Sequence, residues 1–209
     1  MKSLFSAPKL LVIVLAIAAA GLLSCNNNSK TTTTGDTAYN TTDTVSTPPM
    51  MMDTASTPMV SHAEAALTGV YPDTTVSGTV KFDAGSDGKV KMTLDITVTA
   101  KANKNIAVHI HEHGDCGDTA KMAHGHWNPT NEQHGKWGTG SFHSGDIGNV
   151  KLNAKGMGIL TLTTDLWSLG GKPDKNILGR SIIVHGGTDD YTSQPAGNSG
   201  ARLGCGVIQ

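Results

Sequence analysis

Residues 107–146 read AVHIHEHGDCGDTAKMAHGHWNPTNEQHGKWGTGSFHSGD, and this stretch holds most of the histidines of the chain. His109 and His111 stand two residues apart within a largely apolar run. Side chains two apart on a β-strand leave the same face, so these imidazoles are expected to point to one side while Ile110 points to the other. Two imidazoles on one strand face supply half of the donors of a metal site.

The histidines continue beyond this run, in a segment too rich in Gly, Asn and Pro for a helix or strand. The candidate ligands there are His126, His134, His143 and Asp146, at intervals of eight, nine and three residues. A long irregular loop is uncommon in a compact domain unless something fixes it, and imidazoles with a carboxylate suit a zinc ion. The competing interpretation is a His-rich tract that binds metal loosely.

Short runs with β character, separated by turn signals, make up the rest of the second half. They span residues 65–71, 75–83, 89–100, 105–112, 149–153, 158–163, 181–185 and 205–209. Residues 89–99 alternate polar and apolar side chains, which predicts one exposed face and one core face. Regular short strands without a helical period predict an all-β sandwich or barrel.

Several motifs follow one another in a fixed order in this half of the chain. They are His109-x-His111-Glu112-x-Gly114-Asp115-Cys116, Gly125-His126-Trp127-Asn128-Pro129, His134-Gly135, His143-Ser144-Gly145-Asp146-x-Gly148-Asn149, and the closing segments 179–185 and 197–208. With them, residues 65–209 closely resemble the copper/zinc superoxide dismutases. The resemblance implies an eight-stranded Greek-key flattened barrel, with two long loops, 113–146 and 186–204, that form the metal site.

The resemblance also implies one copper ion and one zinc ion per chain. The implied copper ligands are His109, His111, His126 and His185, and the implied zinc ligands are His126, His134, His143 and Asp146. Arg202 and His126 are the implied catalytic residues, the first as a positive charge beside copper and the second as a bridge that takes up a proton. Asp189 is implied to link a copper ligand to a zinc ligand, and Cys116 is implied to pair with Cys205.

The implied activity is disproportionation of superoxide to dioxygen and hydrogen peroxide by alternate reduction and reoxidation of copper, with zinc in a structural role. The alternative is an envelope lipoprotein that sequesters or handles copper and zinc, which would explain the histidines but not Asp189, Arg202 or the cysteine pair. His113 and His124 are extra histidines that we expect on the surface. Residues 186–201 contain no Lys or Arg, so further charge to attract superoxide is expected from Lys121 or Lys136.

The first 24 residues combine a short basic start, an apolar run and a small residue before Cys25. This pattern predicts a signal peptide, and Leu22-Leu23-Ser24-Cys25 resembles a bacterial lipobox. Three cysteines leave one unpaired in an exported protein, and lipidation of Cys25 would account for it. We therefore expect a lipid anchor on a membrane of the bacterial cell envelope, facing the periplasm or the outer surface. An ordinary signal peptide with an incidental cysteine is the alternative.

Residues 25–62 are rich in Thr, Ser and Pro and poor in large apolar side chains, which predicts a disordered tether before a domain at 63–209. Met50–Met52 could bind copper(I) through their thioethers or could be a chance cluster of methionines, and the sequence leaves both interpretations open. Without Lys2 and Lys9 of the signal peptide, the 16 basic residues become 14 against 17 acidic ones, and they are scattered, so no nucleic-acid partner is expected. Trp127 and the apolar strand faces are candidates for the core or for a homodimer interface.

Overall fold

The computed structural model of the protein describes residues 56–209. Cys25, the predicted signal peptide, most of the predicted tether and Met50–Met52 lie outside these residues. Eight strands are present: β1 His62–Gly69, β2 Ser77–Ala84, β3 Val90–Thr97, β4 Asn105–His111, β5 Gly148–Lys151, β6 Met157–Thr164, β7 Ser181–His185 and β8 Arg202–Val207. A helical turn, α1, covers Gly117–Ala120, and single 3₁₀ turns cover Thr99–Lys101 and Lys121–Ala123.

All strands pair antiparallel in the order β5-β4-β7-β8-β1-β2-β3-β6. The chain passes from β3 to β4 at the far side of the sheet and returns through β6, which is a Greek-key path. The end strands meet at Gly158, where an added Cβ would lie 2.8 Å from Val150 Cγ1. The sheet is thus nearly closed, and the predicted eight-stranded all-β barrel is confirmed.

The strand patterns explain which side chains fill the barrel. In β3, Val90, Met92, Leu94 and Ile96 are buried, while the alternating residues are exposed or half-buried. In β4, Val108 and Ile110 join this core, whereas His109 and His111 are buried on the opposite face. Burial on both faces shows that something covers β4 from outside, and that cover is the His-rich loop.

Trp127 lies in the barrel core, 3% exposed, and Arg180 stacks on its ring with Cζ 4.4 Å from the ring centroid. Trp127 is therefore a core residue. The exposed apolar side chains of β6 are Met157 and Ile159. The homodimer stays a prediction.

The N-terminal boundary of the folded part differs from the predicted one. Residues 57–60 pair with a connection between β6 and β7, through Val60 N–H to Leu169 O at 2.9 Å and Gly171 N–H to Thr57 O at 2.6 Å. The same connection buries Trp167, whose Nε1 donates to Ser144 O at 2.8 Å. The last residues of the predicted tether thus belong to the fold, because main-chain groups of the connection between β6 and β7 bind them. Among residues 56–209, no helix has the length and apolar character needed to cross a membrane.

Candidate metal centre

The His-rich loop is fixed to the end of β4 by main-chain pairing. His111 and His126 form an antiparallel bridge, and Trp127 N–H donates to Ile110 O at 2.9 Å. The loop passes again at Gly145, where an added Cβ would lie 2.3 Å from Ile110 O. Only glycine permits this approach, so the loop lies flat on β4 and brings its imidazoles over those of the strand.

Two groups of buried side chains result, and within each group the donor atoms lie within 4.8 Å of one another. The first group contains His109, His111, His126 and His185, and the second contains His126, His134, His143 and Asp146. These are the residues that the sequence analysis assigned to copper and to zinc. The structure brings all seven together, and His126 belongs to both groups.

Unpartnered nitrogens mark the first group as suited to a metal ion. His109 Nδ1 and His126 Nε2 are buried with no hydrogen-bond partner among the described residues. His111 Nε2 lies 3.3 Å from His185 Nε2. Buried polar atoms normally have partners, so convergent buried imidazole nitrogens without one are suited to binding a metal ion. Four nitrogen donors suit copper(II).

The second group is arranged around Asp146. Its Oδ1 lies 2.7 Å from His126 Nδ1 and 3.1 Å from His143 Nδ1. Its Oδ2 accepts from the main-chain N–H groups of His143 and Gly135 at 2.8 and 3.1 Å. His134 Nδ1 lies 3.0 Å from Oδ2 but is not aligned for a hydrogen bond. Three nitrogens and one carboxylate oxygen fit a closed tetrahedral zinc site.

The Asp189 carboxylate contacts one histidine of each donor group. Its Oδ2 lies 2.9 Å from His109 Nε2, and its Oδ1 lies 2.9 Å from His134 Nε2. Asn149 fixes the Asp189 main chain with two hydrogen bonds of 2.9 Å. Burial alone would raise the pKa of Asp189, but the hydrogen bonds from His109 and His134 outweigh it and lower that pKa. The ionised carboxylate accepts from both Nε2 atoms and leaves both Nδ1 atoms free for metal.

Comparison with known proteins supports what this geometry indicates. The family model described as "Copper/zinc superoxide dismutase (SODC)" matches residues 76–208. The chain belongs to the copper/zinc superoxide dismutase family.

Individual relatives agree with this assignment. A "Superoxide dismutase [Cu-Zn]" of Yarrowia lipolytica is 39% identical over 143 residues, which cover 65% of this chain and 91% of the relative. "Superoxide dismutase [Cu-Zn] 2" of Aquifex aeolicus is 40% identical over 112 residues, 51% of this chain and 65% of the relative. The crystal structure of the clock protein EA4 superposes with a TM-score of 0.63 at 32% identity and covers 72% of this chain and 95% of its own.

The opening of this superoxide dismutase-family site is lined by His111, His126, His185 and Arg202, among others. Arg202 donates to the main-chain carbonyls of Ala120 and His124, which hold its guanidinium at the edge of the first group. Burial lowers its pKa, but a guanidinium remains charged at any ordinary pH. No other Lys or Arg of residues 56–209 lines this opening.

The predicted disulfide between Cys116 and Cys205 is confirmed, with a Cα–Cα distance of 5.8 Å. It ties the loop that carries Ala120 to β8, which begins at Arg202. Ala120 N–H donates to Cys116 O at 3.2 Å, so the carbonyl that binds Arg202 lies one turn from the covalent link. The disulfide therefore helps to hold Arg202 in place.

Lys121 and Lys136, predicted as further sources of attracting charge, do not line this opening. Lys121 Nζ is 3.4 Å from Asp118 Oδ2 in an exposed ion pair. Lys136 Nζ lies 5.9 Å from the centroid of the Tyr191 ring. The Lys121–Asp118 pair has little net field at a distance, and of these three cations Arg202 is the one that lines the opening.

Main-chain carbonyls that the sequence analysis missed complete the first group. His111 Nδ1 lies 2.9 Å from His124 O, and His185 Nδ1 lies 3.4 Å from Gly200 O. These contacts select the tautomer in which Nε2 has a free lone pair. Gln194 was also missed: its side chain binds both N–H and C=O of His134 at 2.9 Å. A carbonyl has no sequence signal, and Gln194 lies sixty residues from His134.

The folded chain keeps most of these imidazoles neutral. Burial lowers the pKa of His126 to about 4 and holds the pKa values of His111 and His185 well below their ordinary range. Burial would also lower the pKa of His134, but the adjacent Asp146 and Asp189 carboxylates outweigh it and raise that pKa to about 9. Neutral imidazoles are what a metal ion requires.

We expect the metal-free protein to lose stability as the pH falls from about 6.5 toward 4. The unfolded chain protonates His111, His126 and His185 below their ordinary pKa of 6.5, whereas the folded chain resists this protonation. The contribution of these three imidazoles to stability is therefore complete above pH 6.5 and decreases as the pH falls. Urea denaturation in the presence of a chelator at pH 7 and 4.5 measures it. Equal free energies of unfolding at the two pH values would contradict the expectation.

Proposed function

We propose that the chain converts two superoxide anions and two protons into one dioxygen and one hydrogen peroxide. Copper would be held by His109, His111, His126 and His185, and zinc by His126, His134, His143 and Asp146. Bound copper supplies the one-electron reduction and reoxidation that the two half-reactions need. The observation that carries the proposal is His126, a single buried imidazole shared by two donor groups in a chain of this family.

Each half-reaction places a demand on the chain's own residues. The substrate is a small anion, and the Arg202 guanidinium at the opening offers it a fixed positive charge with N–H donors. Peroxide formation needs protons, and His126 Nε2 lies beside that opening as a buried nitrogen that has no hydrogen-bond partner among residues 56–209. A nitrogen so placed can accept a proton and pass it to the reduced substrate. Asp146 stays close to His126 Nδ1 and keeps the ring in position.

The second group is suited to a structural role. Its four donors come from the protein and leave no position for a substrate. His134 and His143 lie on the long loop, and Asp146 accepts main-chain N–H groups from the same loop. A zinc ion there would bind parts of the loop to one another, which stabilises the cover over β4.

The alternative function, copper and zinc sequestration, is not favoured. A storage site needs donors but has no use for a guanidinium held beside an opening by two carbonyls. It also has no need for one carboxylate that links both donor groups. Both features are explained if a small anion must reach an oriented metal.

The direct test is metal analysis and superoxide disproportionation by the purified protein. We expect one copper and one zinc per chain and rapid disproportionation after loading with both ions. Protein that retains zinc alone, and that stays inactive after copper loading, would contradict the proposal.

We expect Arg202→Ile to retain copper, zinc and the disulfide but to lower the second-order rate about tenfold or more, within the range of electrostatic steering. The mature chain is net negative, and Arg202 is the cation at the opening, so its removal should also weaken the salt dependence. Arg202→Lys should recover part of the rate because the charge returns without the planar fork. Rates measured against ionic strength for these variants test this.

The matched controls are Lys121→Ala and Lys136→Ala, which remove exposed cations outside the opening. Their rates and salt slopes should equal those of the unsubstituted protein. A normal rate and slope for Arg202→Ile, with a loss in either lysine variant, would move the attracting role to that lysine.

We also propose that the mature chain is held on a membrane of the bacterial cell envelope by acyl groups on Cys25. The support is the order of the first residues, a basic start and an apolar run that ends at Ser24-Cys25. A Cys25→Ala variant should leave the membrane fraction after cell breakage, while the unsubstituted chain stays in it. Retention of the variant in the membrane would contradict the anchor.

A further inference from the structure

A third group of potential metal donors lies outside both buried groups. Glu112, His113 and His124 place one donor atom each within 4.8 Å of the others, and all three residues are exposed. The rings of His113 and His124 meet edge to face, with centroids 4.4 Å apart. Two imidazoles and a carboxylate are a donor set that zinc and copper accept.

The main chain assembles this group before any ion arrives. Beyond the bridge between His111 and His126, Glu112 N–H donates to Gly125 O at 3.0 Å and His113 N–H donates to Ala123 O at 3.2 Å. Residues 111–113 and 123–126 therefore run side by side, and the donors come from facing segments. Such preorganisation reduces the ordering that binding would otherwise require.

His124 adopts a backbone conformation that favours glycine, with φ 61° and ψ −142°. Two donors fix it there: its carbonyl accepts from His111 Nδ1 and from Arg202. Imidazole at a position where glycine would be less strained suggests that the side chain itself has a use.

The charges near these three residues affect how tightly the group can bind a cation. Arg180 lies nearby and donates to the main-chain carbonyl of Glu112 at 2.9 Å, not to its carboxylate. The carboxylate is thus left for an ion, although the guanidinium reduces the attraction for a cation. Exposure of all three donors leaves further coordination positions to water.

We propose that Glu112, His113 and His124 form a third metal site for a divalent first-row transition ion, zinc or copper. His124 also lines the opening beside Arg202, so the ion would lie at its rim. There it adds positive charge next to the path of an anion. This site is separate from the two buried groups and does not depend on their proposed function.

Zinc titration of the full mature-length chain, with both buried sites already filled, tests the proposal. All variants carry Cys25→Ser, so that a free thiol does not bind zinc. Calorimetry should show one further zinc equivalent, with affinity at least tenfold weaker in His113→Gln and in Glu112→Gln. The matched control His62→Gln removes an exposed histidine that contacts Asp83 at 2.8 Å and should change nothing. Absence of the further equivalent, or equal affinity in His113→Gln, would overturn the proposal.

A second variant separates ligand loss from misfolding. His124→Gly removes the imidazole and supplies the residue that the backbone favours, so the metal-free protein should be at least as resistant to urea. It should nevertheless lose the further zinc equivalent. Zinc binding by His124→Gly with unchanged affinity would also overturn the proposal.

Discussion

Replacing His185 with glutamine should abolish superoxide disproportionation while the barrel still folds. His185 ends β7, and its Nε2 faces His111 Nε2 at 3.3 Å, so the first donor group loses one of four nitrogens. A glutamine carbonyl is a poorer donor for copper than imidazole. Strand pairing of β7 uses main-chain atoms, which the substitution retains. The disproportionation rate measured with the copper-loaded variant should fall to the rate measured in buffer without protein.

Metal content, circular dichroism and disproportionation rate should be measured on the same preparation. We expect the variant to show the circular dichroism spectrum of the unsubstituted protein, to retain zinc and to bind copper more weakly. His62→Gln is the matched control, because His62 lies exposed at the start of β1 away from the donor groups. A copper-loaded His185→Gln protein with normal activity would refute the assignment of the first group as the redox site.

Removing the disulfide should cause the largest loss of stability. Cys116 and Cys205 are separated by 89 residues, and a cross-link over a loop of this length restricts the unfolded chain by about 4 to 5 kcal/mol in the chain-entropy model. Cys116→Ala with Cys205→Ala should lower the free energy of unfolding by that amount. Urea denaturation of the metal-free proteins measures it, since bound metal would add its own stabilisation.

The same double variant should also react more slowly with superoxide, because the carbonyls of Ala120 and His124 that bind Arg202 lie on the released loop. Cys25→Ala is the matched control and should leave both stability and rate unchanged. Equal stability of the double variant and the control would show that the disulfide does not restrict the unfolded chain.

The architecture could be predicted because a strand with one buried face has alternating polar and apolar residues in its sequence. Residues 89–99 show it directly, and all eight predicted runs correspond to observed strands. The ends of the strands were predicted less accurately. β8 starts at Arg202, three residues before the predicted start, because His185 pairs with Arg202 across the sheet. That pairing depends on a distant strand and leaves no mark on the local sequence.

The donor residues could be predicted because imidazoles and carboxylates have distinctive chemistry. Their supports could not, because His124 O and Gly200 O are main-chain atoms. The approach of His113 to His124 was also missed. Both residues were expected on the surface as separate extra histidines, but main-chain pairing of residues 112–113 with 123–125 brings their rings into contact.

Asp189 has a thermodynamic consequence for how the chain acquires its metals. One carboxylate fixes His109 in the first donor group and His134 in the second. An ion that orders either ring also orders the carboxylate, and with it the ring on the other side. Because His126 is shared as well, occupancy of one site should raise affinity at the other, and linkage requires the same factor in both directions. The two ions are thus expected to be taken up cooperatively, so that partly loaded molecules are rare.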